Sequence, residues 1–378
     1  MSTTTTSADP DLLRARLQRA RDAATAQGAD ALVIAPGSDL RYLIGGSGSS
    51  FERLTALVVS ADAEEAVLVV PKLEAPGYAG VPLEALGVRL ATWVDGEDPY
   101  ALVAGALGAP SVVAVGDVLP ALHAFPLRAA LPGAEHVLAG PVLRELRMRK
   151  DAAEVEALRV AGAAIDRVHA RIGEWLRPGR TEAEVGADIA AAIVAEGHAR
   201  VEFVIVGSGP NGASPHHSLS DRVITTGDVV VIDIGGSTAD GYNSDSTRVY
   251  SVGDPRDADV AETYAVLAAA QRASVASVRP GVTAESVDAA ARQVIADAGF
   301  GEYFIHRTGH GIGLDVHEHP YIVAGNDLVL EPGMAFSVEP GIYLPDRWGA
   351  RIEDIVIVTE DGVESVNNQP HELVVLPG

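Results

Sequence analysis

Four of the eleven histidines in this 378-residue chain lie within the segment IHRTGHGIGLDVHEH, residues 305–319. They are His306, His310, His317 and His319. The glycines among them disfavour a helix. Histidine is a common metal ligand and carries protons near neutral pH. The cluster therefore predicts a metal or catalytic site, with an ordinary polar loop as the alternative.

Two aspartates lie on neighbouring predicted strands. Asp233 follows four consecutive aliphatic residues in VVVIDIGG, where an isolated carboxylate is costly to bury. Asp245 lies twelve residues later in GYNSDSTRVY, after the turn-forming sequence GGSTADG. A hairpin at that turn would place both carboxylates on one face of the sheet. Each aspartate taken singly has the simpler interpretation of a strand-end residue.

Two glutamates occupy similar positions nearer the C-terminus. Glu339 ends an apolar strand in MAFSVEPGIY, and Glu353 lies in the strand GARIEDIVIV. Strand alternation sends Glu353 and Asp354 to opposite faces, so only one of them can point inward. Because such residues also occur at strand ends on protein surfaces, the argument depends on the four carboxylates together.

Together these four carboxylates present a charge problem. Carboxylates at the apolar ends of strands repel one another, and their pKa values rise unless positive charge lies among them. The lysines, Lys72 and Lys150, lie outside these segments, and Arg248 and Arg351 leave the sum negative. A pair of divalent cations would balance the charge, and the ligand types suit Mn²⁺, Co²⁺ or Zn²⁺. The histidine cluster would supply an imidazole ligand and a proton carrier.

The elements that must position these groups fall into two predicted domains, as the chain length also favours. Short apolar runs alternate with helical patterns up to PVLRELRMRK, residues 141–150. We predict an α/β domain over residues 1–143 and a second domain over residues 144–378. In the second domain, long helices beside an antiparallel sheet indicate an α+β fold. Its predicted helices are 151–176, 181–196, 256–278 and 283–298, and its predicted strands include 201–206, 228–234, 334–344 and 350–359.

The composition disfavours several classes of function. A net charge of −24 argues against nucleic acid and anionic membranes as partners. Cysteine is absent, so any metal site must use oxygen and nitrogen ligands. The first ten residues, MSTTTTSADP, lack the basic and apolar segments of a secretory signal. The longest uncharged run, Pro99–Gly116, is interrupted by glycine and proline. We therefore expect a cytoplasmic protein.

The motifs DIGG, GYNSDSTR, HRTGHGIGLDVHE, VEPGIY and RIED occur in this order along the chain. They resemble the pita-bread metallopeptidases, in the branch of aminopeptidase P and prolidase, and SDLRYLIGG is similar to the smaller domain of that branch. The resemblance spans essentially the whole chain. It implies an α+β fold with a C-terminal pita-bread catalytic domain and a smaller N-terminal α/β domain of the creatinase/prolidase type. It also implies a homodimer and two divalent metal ions, with manganese as the first choice and cobalt or zinc as alternatives.

Carried over residue by residue, the resemblance implies five metal ligands. They are Asp233, Asp245, His310, Glu339 and Glu353. Asp245 and Glu353 would bridge the two ions. Asp233 would complete one site, while His310 and Glu339 would complete the other.

The resemblance also implies which residues act on the substrate. His216 and His317 would stabilise the developing oxyanion, and Glu339 would accept and pass on the proton. The adjacent His217 is the alternative candidate for the role assigned to His216. The residues assigned to the substrate side are His306, Tyr343 and Arg351.

The implied activity is hydrolysis of the peptide bond that precedes proline, as in an Xaa-Pro dipeptidase (prolidase), by a hydroxide activated at a dinuclear metal centre. The substrates would be small peptides with proline in the second position. An Xaa-Pro aminopeptidase (aminopeptidase P) acting on longer peptides is the alternative. A non-catalytic binding protein of this fold would be expected to have lost ligands, and a creatinase-like amidinohydrolase would leave the five ligands unexplained.

Two features depart from the family pattern. The interval between Asp233 and Asp245 is one residue longer, and a shifted returning strand would turn Asp245 away from the site. The arginine that some strict dipeptidases carry shortly after the histidine equivalent to His317 is absent, which leaves Arg351 as the candidate partner for a dipeptide carboxylate. The loop Gly45–Arg53 would close a neighbouring active site in a dimer, or else form an ordinary surface loop.

Overall fold

The structure is a computed structural model that describes residues 9–48 and 52–378. It divides into two compact units, Met1–Arg147 and Met148–Gly378. The predicted boundary after residue 143 falls within a helix of the first unit, Gly140–Arg147. The position of the domain boundary therefore stays a prediction. Of the predicted loop 45–53, residues 49–51 lie outside the described residues.

The first unit contains a mixed six-stranded sheet with the order β4-β3-β2-β1-β5-β6. Its helices are α1 (Pro10–Ala26), α2 (Ser38–Ile44), α3 (Leu83–Leu86), α4 (Pro99–Leu107), α5 (Ala121–Ala130) and α6 (Gly140–Arg147). Its strands are β1 (Ala31–Ile34), β2 (Ala56–Ser60), β3 (Ala66–Pro71), β4 (Val88–Trp93), β5 (Val112–Val115) and β6 (Glu135–Leu138). The pairs β1–β2 and β2–β3 are antiparallel, and the other pairs are parallel.

The central strands of this sheet are continuous apolar runs because both of their faces are covered. Every residue of β1 and β3 is buried, whereas the edge strand β4 exposes its middle residues. Val33, Val69 and Val113 belong to one buried core together with Val103 of α4 and Leu127 of α5. The predicted α/β character of the N-terminal region is confirmed.

The second unit consists of four α-helices and eleven strands among the described residues. The helices are α7 (Ala152–His169), α8 (Glu182–Ala195), α9 (Val260–Ser277) and α10 (Ala284–Asp297). The strands are β7 (Arg200–Ser208), β8 (Val229–Ser237), β9 (Ser246–Val252), β10 (Gly309–Gly311), β11 (Glu318–Ile322), β12 (Ala335–Val338), β13 (Gly341–Leu344), β14 (Trp348–Arg351), β15 (Asp354–Val358), β16 (Val363–Ser365) and β17 (Val374–Leu376).

Three sheets form in the second unit, with the orders β17-β9-β8-β7, β11-β10-β12-β15-β16 and β13-β14. Their pairs are antiparallel except for β9–β17, which is parallel. The predicted α+β fold is confirmed. The predicted helix 151–176 ends earlier, at His169, and is followed by a 3₁₀ turn at Ile172–Glu174.

Strand β8 is buried along its whole length because helices and strands cover both of its faces. Val230 and Ile232 pack into a core with residues of α7 and α8. Val229 packs into a different core with residues of α9 and β14. A carboxylate carried by β8 therefore lies inside the protein on either face, where it needs a partner.

No helix within residues 9–48 and 52–378 combines the length and hydropathy needed to cross a membrane. The uncharged run Pro99–Gly116 forms α4 followed by β5. Its glycine and proline residues separate the two elements, as their positions predict.

Helix α8 begins with a capping box. The Thr181 side chain accepts a hydrogen bond from the Glu184 backbone N–H at 3.2 Å, and Glu184 Oε2 accepts from the Thr181 N–H at 2.8 Å. Helix α10 also begins after a threonine, Thr283, but that side chain makes no capping bond. The two threonines form a matched pair for measuring the contribution of the cap.

We expect Thr181→Ala to lower the free energy of unfolding by about 1 kcal/mol, because it leaves the Glu184 backbone N–H without its acceptor. Thr283→Ala, the control, should lower it by less than half of that. Urea denaturation followed by circular dichroism measures both changes. Losses of equal size would contradict a specific role for the capping bond.

A cluster of carboxylates and histidines as the candidate active site

The hairpin β8–β9 brings the two aspartates together. Asp233 pairs directly with Thr247 of β9, and opposite residues in an antiparallel ladder share a face. Asp245 precedes Thr247 by two residues, so strand alternation points it to the same face. An isolated bridge between Ser237 and Asn243 closes the turn. The turn therefore absorbs the longer interval, and Asp245 does not face away.

Glu353 joins the cluster through the same threonine. It forms an isolated bridge with Thr247, whose hydroxyl donates a hydrogen bond of 2.6 Å to Glu353 Oε2. Asp354 lies on the opposite face, as strand alternation predicts, and there it accepts hydrogen bonds from Arg248 at 2.7 Å and His371 at 2.6 Å. Only Glu353 of this adjacent pair reaches the candidate site.

His310 lies on the short strand β10 and faces the carboxylates. Its Nε2 lies 3.2 Å from Glu339 Oε1 and 3.6 Å from Asp245 Oδ2. Its Nδ1 lies 3.1 Å from the Gly311 carbonyl, so Nε2 is the ring nitrogen that faces the carboxylates. Ser337 accepts a hydrogen bond from the His310 backbone N–H and donates one to Glu339, both at 3.0 Å.

The five predicted ligands form overlapping groups whose donor atoms lie within 4.8 Å of one another. One group is Asp233, Asp245 and Glu353, and another is His310, Glu339 and Glu353. A third joins Asp245 and His310 with His317. Glu353 belongs to the first two groups, an arrangement that suits adjacent ions sharing a carboxylate.

The electrostatics of the cluster show an excess of negative charge. Burial and then the neighbouring carboxylates raise the pKa values of Asp245 and Glu353 well above their usual range. Burial also opposes ionisation of Glu339, but the hydrogen bond and charge of His310 outweigh it and lower the pKa of Glu339 to about 2. Among the described residues, only Arg351 donates a guanidinium hydrogen bond to one of the four carboxylates, Asp233.

Asp233 provides a direct test of whether this set fits a metal. One of its oxygens accepts from Arg351, while Oδ1 is buried and has no hydrogen-bond partner. An orphaned carboxylate oxygen is costly, and this one lies in a group of oxygen donors suited to divalent ions. The donor set therefore fits the metal ions that the sequence predicts.

A chain of hydrogen bonds connects the three residues predicted on the substrate side. Arg351 Nη1 donates to the Tyr343 hydroxyl at 2.8 Å, and that hydroxyl lies 2.8 Å from His306 Nε2. Burial raises the pKa of Tyr343 to about 12, so the hydroxyl keeps its proton and donates it to His306. His306 Nδ1 then donates to the Arg307 carbonyl at 2.7 Å. All three side chains are bonded to protein groups.

His317 lies at the exposed side of the cluster, with its ring centroid 4.0 Å from that of His310. Partial burial, followed by the positive charge of His310 and Arg307, lowers the pKa of His317 to about 4. The imidazole is therefore neutral at neutral pH. It can donate one hydrogen bond without adding charge near a cation.

The structure distinguishes His216 from His217. His217 Nε2 lies 2.7 Å from the carboxylate of Glu182, a fully buried residue that also accepts hydrogen bonds from Ser208 and Ser220. His216 is exposed. Burial is the main cause that lowers the pKa values of His306 and His317, and the charge of His216 makes a smaller contribution in the same direction. His217 is thus tied to the Glu182 network, while His216 is exposed and interacts electrostatically with His306 and His317.

Sequence reasoning missed several residues that hold the cluster in place. Thr247 lies two residues after Asp245, and Ser337 lies two before Glu339. In both cases strand alternation was a usable signal, because residues two apart share a face. Glu182 gave no such signal, since a glutamate in the first turn of a helix is usually exposed.

Comparisons with known proteins agree with this geometry. Residues 156–360 match metallopeptidase family M24, and residues 16–149 match the creatinase/prolidase N-terminal domain. The chain is 63% identical over 370 residues to the probable dipeptidase PepE of Mycobacterium tuberculosis, covering 98% of both proteins. It is 36% identical over 351 residues to the Xaa-Pro dipeptidase of Lactobacillus helveticus, covering 89% of this chain and 92% of that protein.

Among solved structures, dipeptidase PepE from Mycobacterium ulcerans superposes with a TM-score of 0.93 at 62% identity, covering 98% of this chain and 99% of that one. The predicted two-domain architecture, with an N-terminal creatinase-like domain and a C-terminal catalytic domain, is confirmed. The resemblance derived from the sequence motifs is confirmed as well. The chain belongs to metallopeptidase family M24.

Proposed function

We propose that this protein is an Xaa-Pro dipeptidase, which hydrolyses the bond preceding proline in small peptides. The observation that carries the proposal is the pair of donor groups that share Glu353, since it offers two adjacent ion sites in one buried cluster. The relatives named dipeptidase and Xaa-Pro dipeptidase favour a dipeptide substrate over the longer peptides of aminopeptidase P.

Five residues would hold the two ions, and we infer manganese, with cobalt or zinc as alternatives. Asp233, Asp245 and Glu353 would hold one ion, and His310 and Glu339 would hold the other with the bridging pair Asp245 and Glu353. Divalent ions, when bound, supply Lewis-acid polarisation of a carbonyl and lower the pKa of water. The hard oxygen donors and single imidazole suit these metals better than softer ones.

The remaining steps depend on side chains of this chain. Glu339 is ionised at neutral pH, as a proton acceptor must be. The neutral His317 can donate one N–H to the oxygen that becomes negative during attack. His216, the neighbour of the Glu182-bonded His217, would stabilise the same developing negative charge. Arg351 orients Asp233 and Tyr343.

A homodimer and a cytoplasmic location complete the proposal. Both are predictions from the family resemblance and from the sequence composition. The small-peptide substrates also agree with the strongly acidic composition, which disfavours nucleic acid as a partner.

We expect Thr247→Val to weaken metal binding by about 10- to 100-fold, because it removes the hydroxyl that holds both Glu353 and Arg351. Thr263→Val is the matched control, since the Thr263 hydroxyl is buried in the same unit without a hydrogen-bond partner. Metal affinity is measured by titration of the chelated protein. Unchanged affinity in Thr247→Val would show that the hydroxyl does not orient the ligands.

His310 and His317 allow a second test, because their rings are in contact but their proposed roles differ. His310→Ala should bind less than two ions per chain, whereas His317→Ala should keep both ions and lose kcat. Elemental analysis of the purified proteins gives the metal content, and kcat is measured with manganese added. A metal-depleted His317→Ala protein would place His317 among the ligands.

The substrate is tested with the pair Ala-Pro and Ala-Pro-Ala on the manganese-loaded enzyme. We expect a higher kcat/KM for the dipeptide, and no hydrolysis of either after chelation until manganese returns. A preference for the tripeptide would identify an aminopeptidase P with the same metal chemistry. Full activity with metal shown to be absent would overturn the dinuclear mechanism.

A further inference from the structure

Arg307 is a cationic side chain in the histidine-rich segment that has no role in the chemistry above. Its guanidinium stacks on the ring of Tyr321, with 4.3 Å from Cζ to the ring centroid, and the side chain is half-buried. Arg171 and Arg292 also stack on aromatic rings, but carboxylates hold both of them. Within residues 9–48 and 52–378, no hydrogen bond or ion pair engages the Arg307 guanidinium. Its donors are therefore available to a ligand.

The strand register places this guanidinium on the face of the sheet that carries a proposed metal ligand. Tyr321 of β11 pairs directly with His310 of β10, and directly opposed residues have side chains on the same face. The ring of His319, two residues earlier on β11, lies 4.5 Å from that of Tyr321 and so shares this face. Arg307 therefore stacks on Tyr321, the cross-strand neighbour of His310.

The backbone around Arg307 is anchored on both sides. The His306 carbonyl accepts a hydrogen bond from Arg292 at 2.9 Å, and the Arg307 carbonyl accepts one from His306 Nδ1 at 2.7 Å. The Thr308 N–H donates to the Ile322 carbonyl at 3.0 Å. The main chain of the segment is thus held on both sides of Arg307, while the guanidinium, stacked on Tyr321, makes no hydrogen bond or ion pair with the part of the chain that the structure describes.

Arg351, the arginine that the sequence suggested for a dipeptide carboxylate, is poorly placed for that task. It is 2% exposed. Its nitrogens donate to Asp233, Tyr343 and Thr247. Capturing a substrate carboxylate would break contacts that orient a proposed metal ligand. A guanidinium without such contacts is the better candidate.

We propose that Arg307 binds the free C-terminal carboxylate of the dipeptide substrate, with Tyr321 as the platform that orients it. A guanidinium presents a planar fork that matches a carboxylate through two parallel hydrogen bonds. Stacking on Tyr321 limits the conformations of the long side chain before binding, which reduces the entropy lost on binding. This inference rests on the proposed function and names the group that would select dipeptides over longer peptides.

The experiment compares Ala-Pro with its C-terminal amide, using the manganese-loaded enzyme and the variants Arg307→Gln and Arg307→Lys. Arg307→Gln should lose about 10- to 100-fold in kcat/KM on Ala-Pro, mainly through KM, because a charged hydrogen-bonded pair is lost. On the amide, which lacks the carboxylate, the loss should stay below about threefold. Arg307→Lys keeps the charge without the fork and should fall between wild type and Arg307→Gln.

Arg279→Gln is the matched control for the change in net charge. Arg279 is exposed in the same unit and, within the described residues, makes no hydrogen bond or ion pair. It should leave kcat/KM unchanged on both substrates. Equal losses on Ala-Pro and its amide in Arg307→Gln would indicate a structural role and overturn the proposal. An unchanged kcat/KM on Ala-Pro would overturn it as well.

The outcomes also separate this proposal from the proposed function. If wild type cleaves Ala-Pro while Arg307→Gln keeps full kcat/KM, only the assignment of Arg307 fails. If wild type cleaves other dipeptides but none with proline, the proposed function fails. The role of Arg307 is then tested by comparing kcat/KM for the free acid and the C-terminal amide of a dipeptide that the enzyme does cleave. If wild type cleaves no dipeptide, both are wrong.

Discussion

Four carboxylates packed side by side, three of them buried and Glu339 partly buried, are the constraint on which the rest of the second unit depends. Only one guanidinium, that of Arg351, donates to one of them within the described residues, so the protein alone leaves excess negative charge in a space shielded from water. The raised pKa values of Asp245 and Glu353 express that excess. Buried charges persist only with partners, and the divalent ions of family M24 are the partners that suit these donors.

The carboxylates are held by neighbours that do not themselves belong to the cluster. Thr247 bonds Glu353 and Arg351, and Ser337 bonds both His310 and Glu339. On the reverse face, the buried pair Arg248–Asp354 also ties the Glu353 carbonyl, through a bond of 2.7 Å from Arg248 Nη1. Supporting contacts of this kind set ligand orientation, and strands rather than flexible loops carry most of them.

The cationic and imidazole groups divide into those bonded to the protein and those facing outward. Arg351, Tyr343 and His306 form one chain of hydrogen bonds, and His217 is tied to Glu182. His216 and His317 are exposed, and the half-buried Arg307 makes no hydrogen bond or ion pair within the described part of the chain; these are the groups that we propose face the substrate. For the substrate carboxylate, this division favours Arg307 over Arg351, the arginine that the motif comparison suggested, because a motif does not show which donors are already used.

Much of this protein was determined by the sequence alone. A metal site with oxygen and nitrogen ligands was predicted from three features: the cost of burying Asp233 in an aliphatic strand, the acidic residues without lysine partners, and the histidine cluster. Hydrophobic periodicity predicted both domains. Thr247, Glu182 and Arg307 required the tertiary structure. Their roles arise from contacts between residues far apart in sequence, such as Thr247 with Glu353, or Glu182 with His217. Only the folded chain decides whether the donors and acceptors of a side chain are hydrogen-bonded within the protein or available to a ligand. That depends on distances between residues, which local sequence patterns do not contain.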